Sequence, residues 1–166
     1  VEGLIRATVF DHFCGGVNAE DCMSKIDQMY NSGVYSVLDY SVEGKQEEEQ
    51  FDRILDQMCT LVDFADEKEA MPFAVFKPTA VGRFEIYEKI SASISLTTDE
   101  QKEWKRIQER FHKICSYGKE KNIAILVDAE ESWMQSAADD LLLKLMRKYN
   151  KDKVIVYNTL QAYRWE

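Results

Sequence analysis

Short apolar runs that alternate with helix-length amphipathic stretches constrain this sequence most. Four of the runs read as strands: Val34–Tyr40, Pro72–Lys77, Ile123–Asp128 and Val154–Tyr157. The second and third are apolar at successive positions, as strands buried on both faces of a parallel sheet are. Between strands lie stretches long enough to bring the chain back across the sheet. Asn18 can cap a first helix with Cys22, Ile26, Met29 and Tyr30 on its apolar stripe, and Gly33 can end it. The acidic run Glu47–Glu49 opens a second helix, where its charges complement the helix dipole. A short helix is expected from about Gly82 to Ile90. A longer one starts near Thr98, with Thr98 and Gln101 as a capping box, and ends around Gly118; another spans Ser132 to Tyr149. The order α-βα-βαα-βα-β predicts one α/β domain, a parallel sheet covered by helices.

Composition narrows the partners. At 166 residues, 45% hydrophobic and 31% charged, the chain reads as a soluble globular domain. A net charge of −9 argues against a nucleic-acid partner, which needs a basic surface. The longest apolar runs, such as Ile123–Val127, are too short to span a bilayer. No signal-peptide pattern opens the chain, and its first residue is Val rather than Met, which suggests a processing boundary. Cys14, Cys22, Cys59 and Cys115 match no zinc or C-x-x-C spacing and read as unpaired thiols of a reducing compartment. His12 and His112 belong to no ligand cluster, so no metal is expected.

The chemistry should sit at the carboxyl ends of the strands, where parallel α/β folds place their sites. Three successive strands end in ionisable residues: Asp39, Lys77 and Asp128. By alternation Lys77 shares a face with Val75 and Phe73, Asp128 with Leu126 and Ala124, and Asp39 with Val37 and Tyr35. If those faces line a barrel interior, a cation sits between two anions at its mouth, a site for a small charged ligand. Two other readings stay open: polar strand ends that merely meet solvent, and Lys77 as a Schiff-base nucleophile of an aldolase or lyase. The run Lys77–Gly82 lacks the Gly-rich pattern of a phosphate loop.

The run Phe73-Ala74-Val75-Phe76-Lys77-Pro78-Thr79 resembles the lysine-ending second strand of the FAD-dependent proline dehydrogenases. Leu126-Val127-Asp128-Ala129-Glu130-Glu131-Ser132 is similar to that family's third-strand D-A-E-E signature, and Asn158-Thr159-Leu160-Gln161-Ala162-Tyr163 to its fourth-strand Q-x-Y signature. Leu38–Gly44 sits where the first strand should end. The motifs follow in order over essentially the whole chain. The resemblance implies a (β/α)8 TIM-barrel fold of which residues 1–166 supply about the first four units. It implies oxidation of L-proline to Δ1-pyrroline-5-carboxylate, with FAD as cofactor. Lys77 would pair with the substrate carboxylate. Asp128 would be the active-site aspartate that holds cationic groups in place. Ala129 would approach the flavin and Gln161 would hydrogen-bond it, with Asp39 as a supporting charge.

A complete barrel of this type takes about 250 residues. The resemblance implies that the remaining strands, the arginines that clamp the substrate and most FAD contacts lie beyond Glu166. The expectation is therefore a fragment that neither holds FAD tightly nor turns over proline alone. Unpaired sheet edges in such a fragment invite self-association. The family implies an electron acceptor such as a membrane quinone. A cytoplasmic bacterial protein, peripheral at the inner membrane, is the expected setting. A barrel-derived module that only binds partners is the non-enzymatic alternative.

Overall fold

The computed structural model describes residues 14–39 and 47–165. The elements, in chain order, are α1 (Ala19–Asn31), α2 (Glu48–Asp66), β1 (Phe73–Phe76), a 3-10 turn (Pro78–Ala80), α3 (Phe84–Ser91), α4 (Thr98–Lys121), β2 (Ala124–Val127), α5 (Ser132–Tyr149) and β3 (Val156–Asn158). The strands form one parallel sheet in the order β1-β2-β3. Phe73 pairs with Ala124, Val75 with Leu126 and Leu126 with Tyr157.

The two sheet faces differ. Ala74, Phe76, Ile125, Val127 and Val156 are buried and meet a core that includes Met58, Val62, Phe111, Ile114 and Leu142 of the helices. The Phe76 and Phe111 rings pack edge to face, 5.0 Å between centroids. On the opposite face Val75 and Leu126 are half-buried, and Tyr157 is exposed. Phe73 and Tyr157 meet there edge to face at 5.7 Å. Parity carries this second face upward to Lys77 and Asp128, as the alternation of the sequence predicts.

The helix ends follow local chemistry. Asn18 caps α1: its side-chain oxygen accepts from the Asp21 N–H at 2.8 Å. Gly33, with φ +78°, turns the chain out of that helix. The capping box of α4 lies one residue earlier than expected. Thr97 and Glu100 form it reciprocally, and Glu100 also pairs with Lys89 of α3. The expected end at Gly118 is also corrected, since α4 continues to Lys121 and closes on Asn122 in the left-handed region, φ 59°.

Gly118 has a different purpose. A Cβ there would lie 2.5 Å from Ile125 Cγ1 and 3.0 Å from the Ile123 carbonyl oxygen, so its absence lets α4 lie against β2. Alanine would gain up to about 1 kcal/mol in helix propensity. Overpacking against a rigid neighbour costs about 1–3 kcal/mol. Packing should win, so Gly118→Ala is expected to lower the urea unfolding midpoint. A midpoint raised by the substitution would show that the interface yields.

The expected first strand is a further correction. Among the described residues, 34–39 carry no strand; Tyr40 lies outside them. The Ser36 N–H donates to the Ala70 carbonyl at 2.9 Å, ahead of β1 rather than along it. Val34, Tyr35 and Val37 stay 47%, 55% and 43% exposed, so their β-branched and aromatic character is not spent on sheet packing. Asp39 nevertheless reaches the strand ends.

Candidate functional site

Three loops meet above the carboxyl ends of the sheet. Lys77 leaves β1, and its ammonium donates to Asp39 Oδ2 at 2.8 Å and to Asp128 Oδ2 at 3.1 Å. Lys77 and Asp128 stand side by side because Phe76 pairs with Val127 one step below. The Asp128 N–H donates to the Phe76 carbonyl at 3.0 Å, which extends the ladder by one bond. The expected arrangement of one cation between two anions is therefore present, with the Lys77 side chain 22% exposed.

Electrostatics set the state of Lys77. Burial would lower its pKa, but the hydrogen bonds and charges of Asp39 and Asp128 outweigh burial and raise it. A Schiff-base nucleophile needs a free amine at neutral pH. Lys77 is held in the opposite state, a persistent cation. An ammonium has three donors. Two are spent on the aspartates, so one is left for a ligand anion.

The loop after β1 is clamped from below. The buried Tyr87 hydroxyl donates to the Pro78 carbonyl at 2.8 Å, and Arg110 donates to the Val81 carbonyl at 3.2 Å. Gly82 closes the loop: a Cβ there would lie 2.4 Å from Ile107. Without a Cβ, Gly82 leaves room for the Ile107 side chain.

The loop after β2 carries the other expected residues. The N–H of half-buried Ala129 donates to Asp128 Oδ1 at 3.0 Å, which orients that carboxylate. Gln161, after β3, donates its side-chain amide to the Glu130 carbonyl. Its Oε1 is buried and finds no hydrogen-bond partner among the described residues. An unsatisfied buried acceptor costs about 1–3 kcal/mol, so it is normally completed by a ligand or water. Small Ala129 and a buried acceptor on Gln161 suit a flat heterocycle with an imide N–H, so these residues fit a flavin.

Sequence reasoning missed the polar scaffold beneath these groups. Glu130 accepts from the Thr79 N–H at 2.8 Å and the Thr79 hydroxyl at 2.6 Å. Gln135, fully buried, accepts from the Glu130 N–H and donates to Asp139, both at 2.9 Å. Asp139 also accepts from Asn158 at 2.8 Å and Arg164 at 3.0 Å. The only hint was position: Thr79 and Glu130 each lie two residues beyond a strand-end charge. All four cysteines are free, with Cys22 and Cys115 buried. Burial pushes the Cys115 thiol up to about 12. No helix of the described residues is long and apolar enough to cross a membrane.

A parallel α/β sheet of TIM-barrel type thus carries a lysine clamped between two aspartates at its strand ends. The chain belongs to the proline dehydrogenase family, whose model matches residues 22–166. The carbapenem antibiotics biosynthesis protein CarD of Pectobacterium carotovorum subsp. carotovorum is 32% identical over 98% of this chain and 43% of its own length. The probable mitochondrial proline dehydrogenase of Schizosaccharomyces pombe is 28% identical over 95% of this chain and 42% of its own. A crystal structure of proline utilization A from Bdellovibrio bacteriovorus, inactivated by N-propargylglycine, matches with a TM-score of 0.76 at 15% identity. That match covers 97% of this chain and 18% of the other and speaks to the fold alone. The chain spans about two-fifths of the length of these curated relatives.

Proposed function

We propose that the protein oxidises L-proline to Δ1-pyrroline-5-carboxylate with FAD, and that this chain carries the substrate lysine and part of the flavin site. The observation that carries the reading is Lys77, held protonated by Asp39 and Asp128 with one donor to spare. Lys77 binds the proline carboxylate as a point charge. Asp128 keeps that ammonium charged and aimed, and Asp39 supports it. Gln161, through its free carbonyl oxygen, and small Ala129 would hold the flavin. Val75, Leu126 and Tyr157 give the substrate ring an apolar floor. FAD, when bound, supplies the hydride acceptor. The protein's part is to hold the ring of proline in place, since proximity dominates such a transfer. The reaction would need an electron acceptor such as a membrane quinone, which the protein would meet peripherally from the cytoplasm.

The test is an anaerobic absorbance spectrum of the full-length protein as purified, before and after L-proline. The expected result is a yellow protein that proline bleaches. A colourless protein in which borohydride traps a carbonyl compound on Lys77 would overturn the proposal in favour of aldolase chemistry. The likeness to a carbapenem-biosynthesis protein favours a second reading, in which the oxidised ring belongs to a biosynthetic intermediate. A yellow protein that free proline leaves unbleached supports that second reading.

A further inference from the structure

We propose that Glu130 is a positioning residue that locks the three strand-end loops into one register, and so sets Lys77, Asp128 and Gln161 for a ring carboxylate. Among the described residues of the scaffold, Glu130 joins all three loops. Its carboxylate takes both Thr79 donors, two residues past Lys77. Its own backbone lies two residues past Asp128. Its carbonyl accepts the Gln161 amide. Its N–H is held by Gln135, whose buried amide is fixed in turn by Asp139.

The geometry explains an otherwise costly choice. Glu130 is half-buried, and its neighbour Glu131 adds a like charge; burial first, then that charge, raise its pKa, against the opposing effect of Thr79 and Lys77. A buried carboxylate persists where its oxygens are needed as acceptors. Both oxygens here face donors of one residue, which fixes Thr79 in direction as well as distance. The ladder sets Lys77 beside Asp128, and the bonds of Glu130 tie Thr79 and Gln161, which lie beyond the ladder, to that pair. The inference makes Glu130 act by geometry and not by charge. Glutamine can test this, because its carbonyl oxygen accepts the Thr79 N–H while its NH2 donates to the Thr79 hydroxyl oxygen.

The role for the ring carboxylate rests on the proposed proline reading, and the experiment separates the two. Glu130→Ala, Thr79→Val and Glu130→Gln are made in the full-length, flavin-loaded protein. The first readout needs no substrate: the acylation rate of Lys77 by an N-hydroxysuccinimide ester, followed by peptide mass spectrometry. The second is the Kd for cyclopentanecarboxylate, a ring carboxylate with no amine to oxidise. Loss of the tether should speed acylation severalfold and weaken the ring carboxylate about tenfold in Glu130→Ala and Thr79→Val, with Glu130→Gln within about twofold of wild type. Thr79→Val keeps the test open should Glu130→Ala fail to fold. Unchanged acylation in both variants overturns the proposal, as does a Glu130→Gln protein as impaired as Glu130→Ala. Faster acylation in a protein that binds no ring carboxylate even as wild type supports the tether and counts against the proline reading alone.

Discussion

Lys77→Met is expected to lower kcat/KM for proline about a hundredfold, mostly through KM. Methionine keeps an unbranched apolar stem and removes the charge. A charge-assisted bond between a partly buried ammonium and a substrate carboxylate is worth about 2–5 kcal/mol when one partner is truncated. About 2.8 kcal/mol corresponds to the hundredfold loss. In the proposed role Lys77 meets a carboxylate that does not react, so it would bind substrate and transition state alike, and such a loss falls on KM. The variant also leaves Asp39 and Asp128 facing a site that must admit another anion. Those two aspartates lie 2.8 and 3.1 Å from the same ammonium, so their repulsion of the substrate adds to the loss. Steady-state kinetics on the flavin-loaded protein measures the effect. A proline response unchanged in Lys77→Met would remove Lys77 from the site.

Lys77 was legible because period-two alternation and a stopping proline place a strand-end side chain without any tertiary knowledge. Asp128 was legible for the same reason, and Ser132–Tyr149 is a helix as expected. Residues 34–39 were not. Val34, Tyr35 and Val37 carry strand propensity, but propensity only reports fitness for a half-buried pleated surface, and here those side chains stay exposed. The start of α4 failed for a subtler reason. Thr97 and Thr98 each have a suitable residue three positions on, Glu100 and Gln101. What separates them is Lys89, eleven residues before Glu100, which rewards the carboxylate and not the amide. The Glu130–Thr79 bond spans 51 positions, and no local pattern signals a contact of that range. The charges at the strand ends could be read from the chain, while the polar residues bonded around them needed the fold.

Arg110→Met is expected to destabilise the protein by about 2–3 kcal/mol at neutral pH, with the deficit shrinking in acid. Arg110 is 4% exposed. Its guanidinium donates to Asp52 at 2.9 Å, to the Glu48 carboxylate and to the Val81 carbonyl, and it lies 5.4 Å over the Phe51 ring. Removing one partner of a buried pair costs about 3–5 kcal/mol when the survivor stays buried. Here the survivors can be wetted, since Glu48 and Asp52 are 37% and 65% exposed, so the loss falls below that range. Methionine keeps part of the packing on Phe51 but leaves the Val81 carbonyl without its donor. Burial would raise the Glu48 pKa, but the hydrogen bonds and charges of Arg106 and Arg110 override it and hold the carboxyl below its usual 4.5. A folded value below the unfolded one gives stability that is present above 4.5 and lost as pH falls through the folded value. Wild type therefore gives up this contribution in acid, while the variant, left with Arg106 alone, has less to give up. Urea midpoints of the two proteins at neutral pH and below 4.5 should converge. A gap independent of pH would mean that packing on Phe51, and not the ion pairs, carries Arg110. A hydrophobic residue could fill the same space. Arg110 ties Glu48 and Asp52 at the start of α2 to the Val81 carbonyl in the loop after Lys77, so its loss should also slacken the support beneath the site.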